Sequence, residues 1–112
     1  MERILTSIKK LIGIDAQYQH FDSDIIMHIN SVFSDLHRLG VGPSEAFRIE
    51  DDTSTWSDFL SDSTKFEIVK SYIYLRVRLL FDPPASSVVV ESMNRQIDKW
   101  EWMLVADTET KV

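Results

Sequence analysis

The three histidines, His20, His28 and His37, are the side chains best suited to binding a metal ion or moving a proton near neutral pH. None has a second histidine three or four residues away, so no helical face presents a histidine pair to a metal. Asp24 and His28 do share a helical face, a spacing typical of a local ion pair. The chain has no cysteine, which excludes disulfides, thiolate zinc sites and cysteine nucleophiles. We therefore predict neither a metal site nor a cofactor.

The second group that could carry catalysis is the run of carboxylates at Glu50, Asp51 and Asp52. It lies in a segment rich in serine and threonine, where no rigid wall would raise the pKa of one carboxyl group for acid–base work. The three glycines of the chain do not form a phosphate-binding loop, and there is no Gly-x-Ser-x-Gly motif for a serine nucleophile. A solvated acidic turn explains these residues, and we predict that the chain is not an enzyme.

Length and charge limit the remaining possibilities. The chain has 112 residues and a mass of 13.0 kDa, and we expect residues 1–112 to form one domain with its own core. Its net charge of −6 disfavours a surface that grips nucleic acid, but not a conduit that DNA passes without binding. No apolar run approaches the roughly 20 residues needed to cross a bilayer, so we expect no membrane contact.

Hydrophobic spacing predicts an all-α fold of four helices, over residues 2–12, 22–40, 64–81 and 87–104. A long acidic loop, about residues 40–63, separates the second and third helices, and its residues 46–49 allow one short strand or β-hairpin. We expect a flexible tail over about residues 105–112. The first helix is too short to be stable alone, so it either packs into its own core or serves as a docking arm for a neighbouring subunit.

A hinge at Asp82-Pro83-Pro84 separates the third and fourth predicted helices. Consecutive prolines lack amide donors and have a fixed φ, and Pro83 keeps Asp82 out of the α region. Ser86 or Ser87 can then cap the next helix. The two helices should therefore form an αα-hairpin.

The third predicted helix has two apolar stripes, which together cover more than half of its circumference. A helix this apolar is central in its own core, shared with a partner, or both. One stripe is formed by Phe66, Val69, Ile73, Val77 and Leu80, and the other by Ile68, Tyr72, Leu75 and Leu79.

Four residues of the hairpin, Arg76, Arg78, Val88 and Trp102, are candidate contacts to another subunit or partner. Val88 and Trp102 fall on the charged side of the fourth helix, where a tryptophan either marks an interface or lies over the aliphatic stems of its neighbours. Arg76 lies at the seam between the two stripes and Arg78 on the polar side. Each pairs with a carboxylate across a subunit boundary or within the chain, Arg76 for example with a loop carboxylate.

Two motifs carry a resemblance to a known family: YIYLRVRLLFDPP over residues 72–84 and QIDKWEW over residues 96–102. They resemble the head–tail connector (adaptor) proteins of long-tailed, siphophage-type bacteriophages. The similarity covers the third and fourth helices well, the first two helices more loosely through order and spacing, and the acidic loop least.

The resemblance implies a structural head-completion protein and no enzymatic activity. Such a subunit joins a roughly dodecameric ring that docks on the portal protein after DNA packaging. The ring provides a platform for the stopper or tail protein and a conduit for genomic DNA, which passes without specific binding. The expected location is the head–tail interface of the virion, with assembly in the cytoplasm of the bacterial host.

Within this role the acidic loop is expected to face the channel, because such a wall should not bind phosphate. Its acidic residues are Glu50, Asp51, Asp52, Asp58 and Asp62. An outward-facing loop is the alternative, and we also expect residues 46–62 to become ordered only on the portal.

The competing hypothesis for function is a generic helical interaction or regulatory module that acts as a small oligomer.

Overall fold

The computed structural model describes residues 2–60 and 63–109, and these confirm the predicted all-α fold. The described residues contain four longer helices and one single-turn helix. They are α1 (Ile4–Leu11), α2 (Asp22–Arg38), α3 (Trp56–Phe59), α4 (Ser63–Phe81) and α5 (Ser87–Glu109). No helix of the described chain is long and apolar enough to cross a membrane.

The short strand or β-hairpin that the sequence allowed over residues 46–49 does not form. In the described ranges, strand-like pairing is limited to one isolated antiparallel bridge between Arg3 and Thr55. Ile49 instead bonds to a side chain of α2, because its amide donates to Asn30 Oδ1 at 2.8 Å and its carbonyl accepts from Asn30 Nδ2 at 2.9 Å. The Asn30 amide thus satisfies the backbone groups that a neighbouring strand would otherwise satisfy.

Helix α4 contacts α1, α2 and α5 and forms the centre of the core. Tyr72, Ile73 and Val77 are fully buried, so the helix is central, as its two stripes predicted. Coverage is incomplete, however, since Leu80 in its last turn is 49% exposed. Leu80 belongs to the first stripe, and three members of the second stripe are also only partly buried: Ile68, Leu75 and Leu79.

Helix α1 belongs to the core of its own chain. Ile4, Leu5 and Ile8 are at most 2% exposed and pack with α2 and α4. The alternative of an α1 that docks on a neighbour is therefore not needed to explain its apolar residues.

A buried lysine holds the loop after α1 in place. Lys9 is 1% exposed, and its Nζ lies 2.7 Å from Asp22 Oδ1. It also donates to the carbonyl oxygens of Tyr18 at 2.7 Å and Ala16 at 3.2 Å. These three partners use all the donors of the ammonium group, which would be costly to bury unpaired. Lys9 therefore fixes residues 16–22 and, with them, the start of α2.

The long loop folds back onto the body. The ring centroid of Phe33 lies 5.1 Å from that of Phe47 and 4.6 Å from that of Phe59, which brings both ends of the segment onto α2. Trp56 is buried, and its Nε1 donates to Ser7 Oγ of α1 at 2.8 Å. Residues 46–60 thus pack on the rest of the chain, the expectation that the segment orders only on the portal stays a prediction, and residues 61 and 62 lie outside the described chain.

The α4–α5 hairpin forms as predicted, with Ser86 rather than Ser87 as the cap. Ser86 Oγ accepts from the amide of Val89 at 3.4 Å. Val89, in the first turn of α5, is 44% exposed. A contact between Tyr72 and Glu101 at 2.6 Å sets the antiparallel register, which places Val89 level with the hinge, where α4 has already ended.

The predicted end of the last helix at residue 104 is also wrong, since α5 continues to Glu109. Leu104 is fully buried and the next two residues are partly buried, so packing supports the helix beyond the last residue of the apolar pattern. The flexibility expected for residues 105–112 stays a prediction, and residues 110–112 lie outside the described chain.

The loop packing predicts different effects of alanine at two glycines with positive φ. Gly42 has φ 97° and Gly13 has φ 84°, so each alanine should cost about 1 kcal/mol in backbone strain. A Cβ on Gly42 would lie 2.5 Å from the Phe59 ring, whereas one on Gly13 would meet nothing within 4 Å. Urea denaturation should show Gly42→Ala to be less stable than Gly13→Ala by a further ~1–3 kcal/mol. Equal losses would show that Phe59 does not pack there.

Candidate partner interface

One face of α5 presents apolar side chains to solvent among charged ones. Val88 is 70% and Trp102 73% exposed. Fourteen residues separate them, close to four helical turns, so they share a face and lie roughly 21 Å apart along the axis. Glu91, Arg95 and Asp98 are exposed between them at helical spacing. We call these five residues the α5 stripe.

The exposure of Trp102 decides between the two explanations of this tryptophan. An indole that covers the aliphatic stems of its neighbours would lose most of its contact with water, and the Trp102 residue keeps 73% of its accessible surface. The other side of α5 is the one that packs inward, through Ile97 and Leu104. Trp102 and Val88 therefore form an uncovered surface of the kind that partners bind, and their contact with a partner stays a prediction.

Arg76 connects three helices within the chain. Its Nη2 donates to Asp35 Oδ2 of α2 at 2.6 Å, and its Nη1 donates to the Tyr72 hydroxyl at 2.7 Å. The same Nη1 lies 3.9 Å from Glu101 Oε2 of α5, which accepts a hydrogen bond from Tyr72 at 2.6 Å. The internal ion pair weighed for Arg76 is thus present, although its carboxylates come from helices rather than from the loop. A role of Arg76 between subunits stays a prediction.

The protons of this network have fixed positions. Burial, followed by the hydrogen bond to Glu101, raises the pKa of Tyr72 far above its usual range, so the hydroxyl remains a donor. Burial alone would lower the pKa of Arg76, but the hydrogen bond to Asp35 and the proximity of Tyr72 outweigh it and raise the pKa. The guanidinium therefore stays charged, and the arrangement suits a structural clamp rather than acid–base chemistry.

Arg78 has a different contact, because its Nε donates to the carbonyl oxygen of Asp82 at 2.7 Å and so supports the last turn of α4.

Sequence reasoning missed the acceptors around Arg76. The spacing of Tyr72 and Arg76, four residues apart on one helix, was the available signal for part of the network. Asp35 and Glu101 gave no such signal, since they are distant in sequence from Arg76.

The structure places four of the five loop acids on the surface and gives most of them local partners. Asp51 Oδ1 accepts from the Thr53 hydroxyl at 2.6 Å and from the Thr53 amide at 2.9 Å. Asp58 Oδ2 accepts from the Thr55 amide at 2.8 Å, in a capping box that begins α3. Asp52 Oδ2 lies 3.9 Å from Arg3 Nη1.

Glu50 is exposed and, with Asp51 and Asp52, borders a groove beside the first turn of α2. Asp62 lies outside the described residues. Whether the acids face a channel stays a prediction. Residues 2–60 and 63–109 contain no group of three or more His, Cys, Asp or Glu side chains arranged to hold a metal ion.

Removal of the Arg76 side chain should destabilise the fold. Arg76→Leu leaves Glu101 without its cation and Asp35 with only the exposed Arg38, whose Nη1 lies 3.9 Å away, and we expect a loss of about 1–3 kcal/mol in the free energy of unfolding. The matched control is Arg78→Leu, which removes one exposed hydrogen bond and should cost less than ~1 kcal/mol. Thermal or urea denaturation measures both. An Arg76 variant as stable as the wild type would show that the clamp does not hold the helices.

The Asp51 turn predicts a measurable pKa. The Thr53 hydroxyl, followed by the Thr53 amide, lowers the pKa of Asp51, since both donate to the charged carboxylate. The stabilisation is present above the unfolded-state pKa of Asp51 and is lost as pH falls through its lower folded-state pKa. Thr53→Val should raise the Asp51 pKa in an NMR titration, whereas Thr53→Ser should leave it low. No change in the valine variant would contradict the turn.

Comparison with known proteins adds one finding. Neither the curated proteins nor the solved structures contain a match to this chain. The family model described as phage connector protein matches residues 4–111, which include the acidic loop, the α4–α5 hairpin and the whole α5 stripe. A match over nearly the full length is sufficient to assign the family, and the chain belongs to the phage connector proteins.

Proposed function

We propose that this chain is a structural subunit of the phage head–tail junction. Copies of it form a closed ring that docks on the portal protein and carries the stopper or tail protein. The ring is part of the virion and assembles in the bacterial cytoplasm. The observation that supports this most is the uncovered α5 stripe in a member of the phage connector family, with Trp102 73% exposed.

A ring subunit needs two different, complementary surfaces, because contacts in a closed ring run head-to-tail. The α5 stripe is a candidate for one of them, since it combines a tryptophan with an arginine, Arg95, and interface centres favour these two residue types. Leu75, Leu79 and Leu80 of α4 add partly exposed apolar area toward the hinge. The α5 stripe and the end of α4 therefore leave apolar side chains of one subunit that its own core does not cover.

The charge of the chain supports a conduit for DNA rather than a DNA-binding protein. The net charge is −6, and Glu50, Asp51, Asp52 and Asp58 lie on the surface of one folded loop. Phosphate is repelled by such a wall, so DNA would pass it without being held. A channel-facing position of this loop is part of the proposal.

The ring hypothesis is tested by sedimentation of the chain with and without portal particles. We expect the chain to co-sediment with portal particles as a closed ring that electron microscopy resolves, and the other head proteins alone to retain none of it. A chain that stays in the supernatant as a dimer or other small oligomer would contradict the proposal and favour the generic interaction module.

Neutralisation of the loop acids tests the conduit. The double variant Glu50→Gln/Asp52→Asn spares Asp51 and Asp58, whose carboxylates hold the loop together. Its particles should assemble normally but release DNA more slowly, by roughly twofold or more at low salt, with a smaller effect at high salt. The control Glu67→Gln/Asp82→Asn changes the same charge at exposed positions outside the loop. Equal release from both variants would contradict a channel-facing loop.

A further inference from the structure

A second surface of the chain, on α2, has the properties expected of the site that receives the α5 stripe. A groove of about 450 Å³ lies between α2 and residues 46–48. Sites that bind compact ligands have volumes of roughly 300–1,000 Å³, so the groove has room for an indole ring. Its lining includes Ser23, Ile26, Met27, Ser34, Phe47 and Arg48.

The groove is held in shape by the fold. One wall is α2 itself, and the other is fixed by the two hydrogen bonds between Asn30 and Ile49, at 2.8 and 2.9 Å. The Phe47 ring is packed against Phe33 and Phe59, at centroid distances of 5.1 and 5.3 Å. A partner would therefore lose little free energy in ordering this site.

The chemistry of the groove suits a tryptophan with a carboxylate beside it. Ile26, Met27 and Phe47 provide apolar contact, and Met27 is 60% exposed, as expected for a flexible side chain without a partner. The hydroxyls of Ser23 and Ser34 can accept the indole N–H, which needs an acceptor when buried.

Arg48 lies at the same groove, is exposed, and has no ion pair among the described residues. It supplies the positive charge that a carboxylate near the indole would meet.

The α5 stripe supplies the complement. Asp98 and Trp102 are four residues apart on one helix, so a carboxylate and an indole project from the same face. The 73% exposure of Trp102 shows that it does not fill the groove of its own chain. Helices α2 and α5 both pack on α4, and every copy of the chain carries both the α5 stripe and the α2 groove.

We propose that Trp102 of one copy inserts into the α2 groove of the next, with Asp98 paired to Arg48 across the boundary. This contact is heterologous, so it continues from copy to copy and closes a ring when the rotation permits. It rests on the proposed function for its biological setting and specifies which residues make the subunit contact.

Cysteine cross-linking tests the contact directly, because the chain contains no cysteine of its own. A mixture of Arg48→Cys and Asp98→Cys chains should form a covalent heterodimer with a short bis-maleimide reagent, because an arginine–carboxylate pair holds its two Cα atoms farther apart than the about 7 Å that a direct disulfide spans. The control mixture, Arg48→Cys with Ser92→Cys, places the second thiol on another face of α5 and should give none. An Asp98→Cys chain that cross-links to itself would show a two-fold contact and overturn the inference.

Analytical ultracentrifugation of the free chain or of portal-bound rings provides an independent test, because it measures how strongly the copies associate. Trp102→Ala should weaken association by about 10- to 100-fold, as expected for an interface hot spot. The control Tyr18→Ala removes an aromatic residue that is 51% exposed elsewhere and should have no effect.

A charge swap tests the ion pair in the same measurement. Arg48→Asp and Asp98→Lys should each weaken association, and the double variant should restore it. Association that all these variants leave unchanged would overturn the inference.

The two proposals fail in distinguishable ways. Chains that bind portal particles but neither cross-link through Arg48→Cys and Asp98→Cys nor respond to Trp102→Ala would overturn this contact and leave the connector role intact. Chains that cross-link as expected but are not retained by portal particles would support the contact and contradict the connector role.

Discussion

Helix α4 lies in contact with α1, α2 and α5, and its side chains Val69, Ile73 and Val77 have no remaining exposure to water. Each such aliphatic side chain contributes about 1.5–3 kcal/mol on burial, so this face supplies much of the stability of a small domain. The position of the other helices follows from it. Where the apolar face ends, Arg76 pairs with Asp35 and reaches toward Glu101, which orients α2 and α5 around the buried helix.

The antiparallel register of α4 and α5 determines which surface remains for partners. The contact between Tyr72 and Glu101 aligns the middle of the hairpin, so Ile97 and Leu104 pack inward. The first turn of α5 then lies level with the proline hinge, and Val88 and Val89 stay exposed there. A partner surface along α5 is thus a geometric consequence of how the hairpin is closed.

The acidic loop shows that a hydrophilic segment without periodicity can still be well anchored. Its order comes from residues that are distant in sequence, because the Ile4 amide donates to the Ser54 carbonyl at 3.0 Å and Trp56 Nε1 donates to Ser7 at 2.8 Å. Asp51 and Asp58 have structural roles in turns and caps. The acids therefore do not act as one uniform set, and Glu50 and Asp52 are the ones whose charge is least committed to the local fold.

The sequence by itself determined the all-α class, the αα-hairpin at Pro83-Pro84 and the placement of Val88 and Trp102 on the charged side of the last helix, because each follows from local periodicity or turn chemistry. The family resemblance was also visible in residues 72–84 and 96–102. The tertiary structure alone decided the partners of Lys9, Asn30 and Arg76 and the end of α5. These depend on groups that are far apart along the chain and meet only after folding, so no local pattern could encode them.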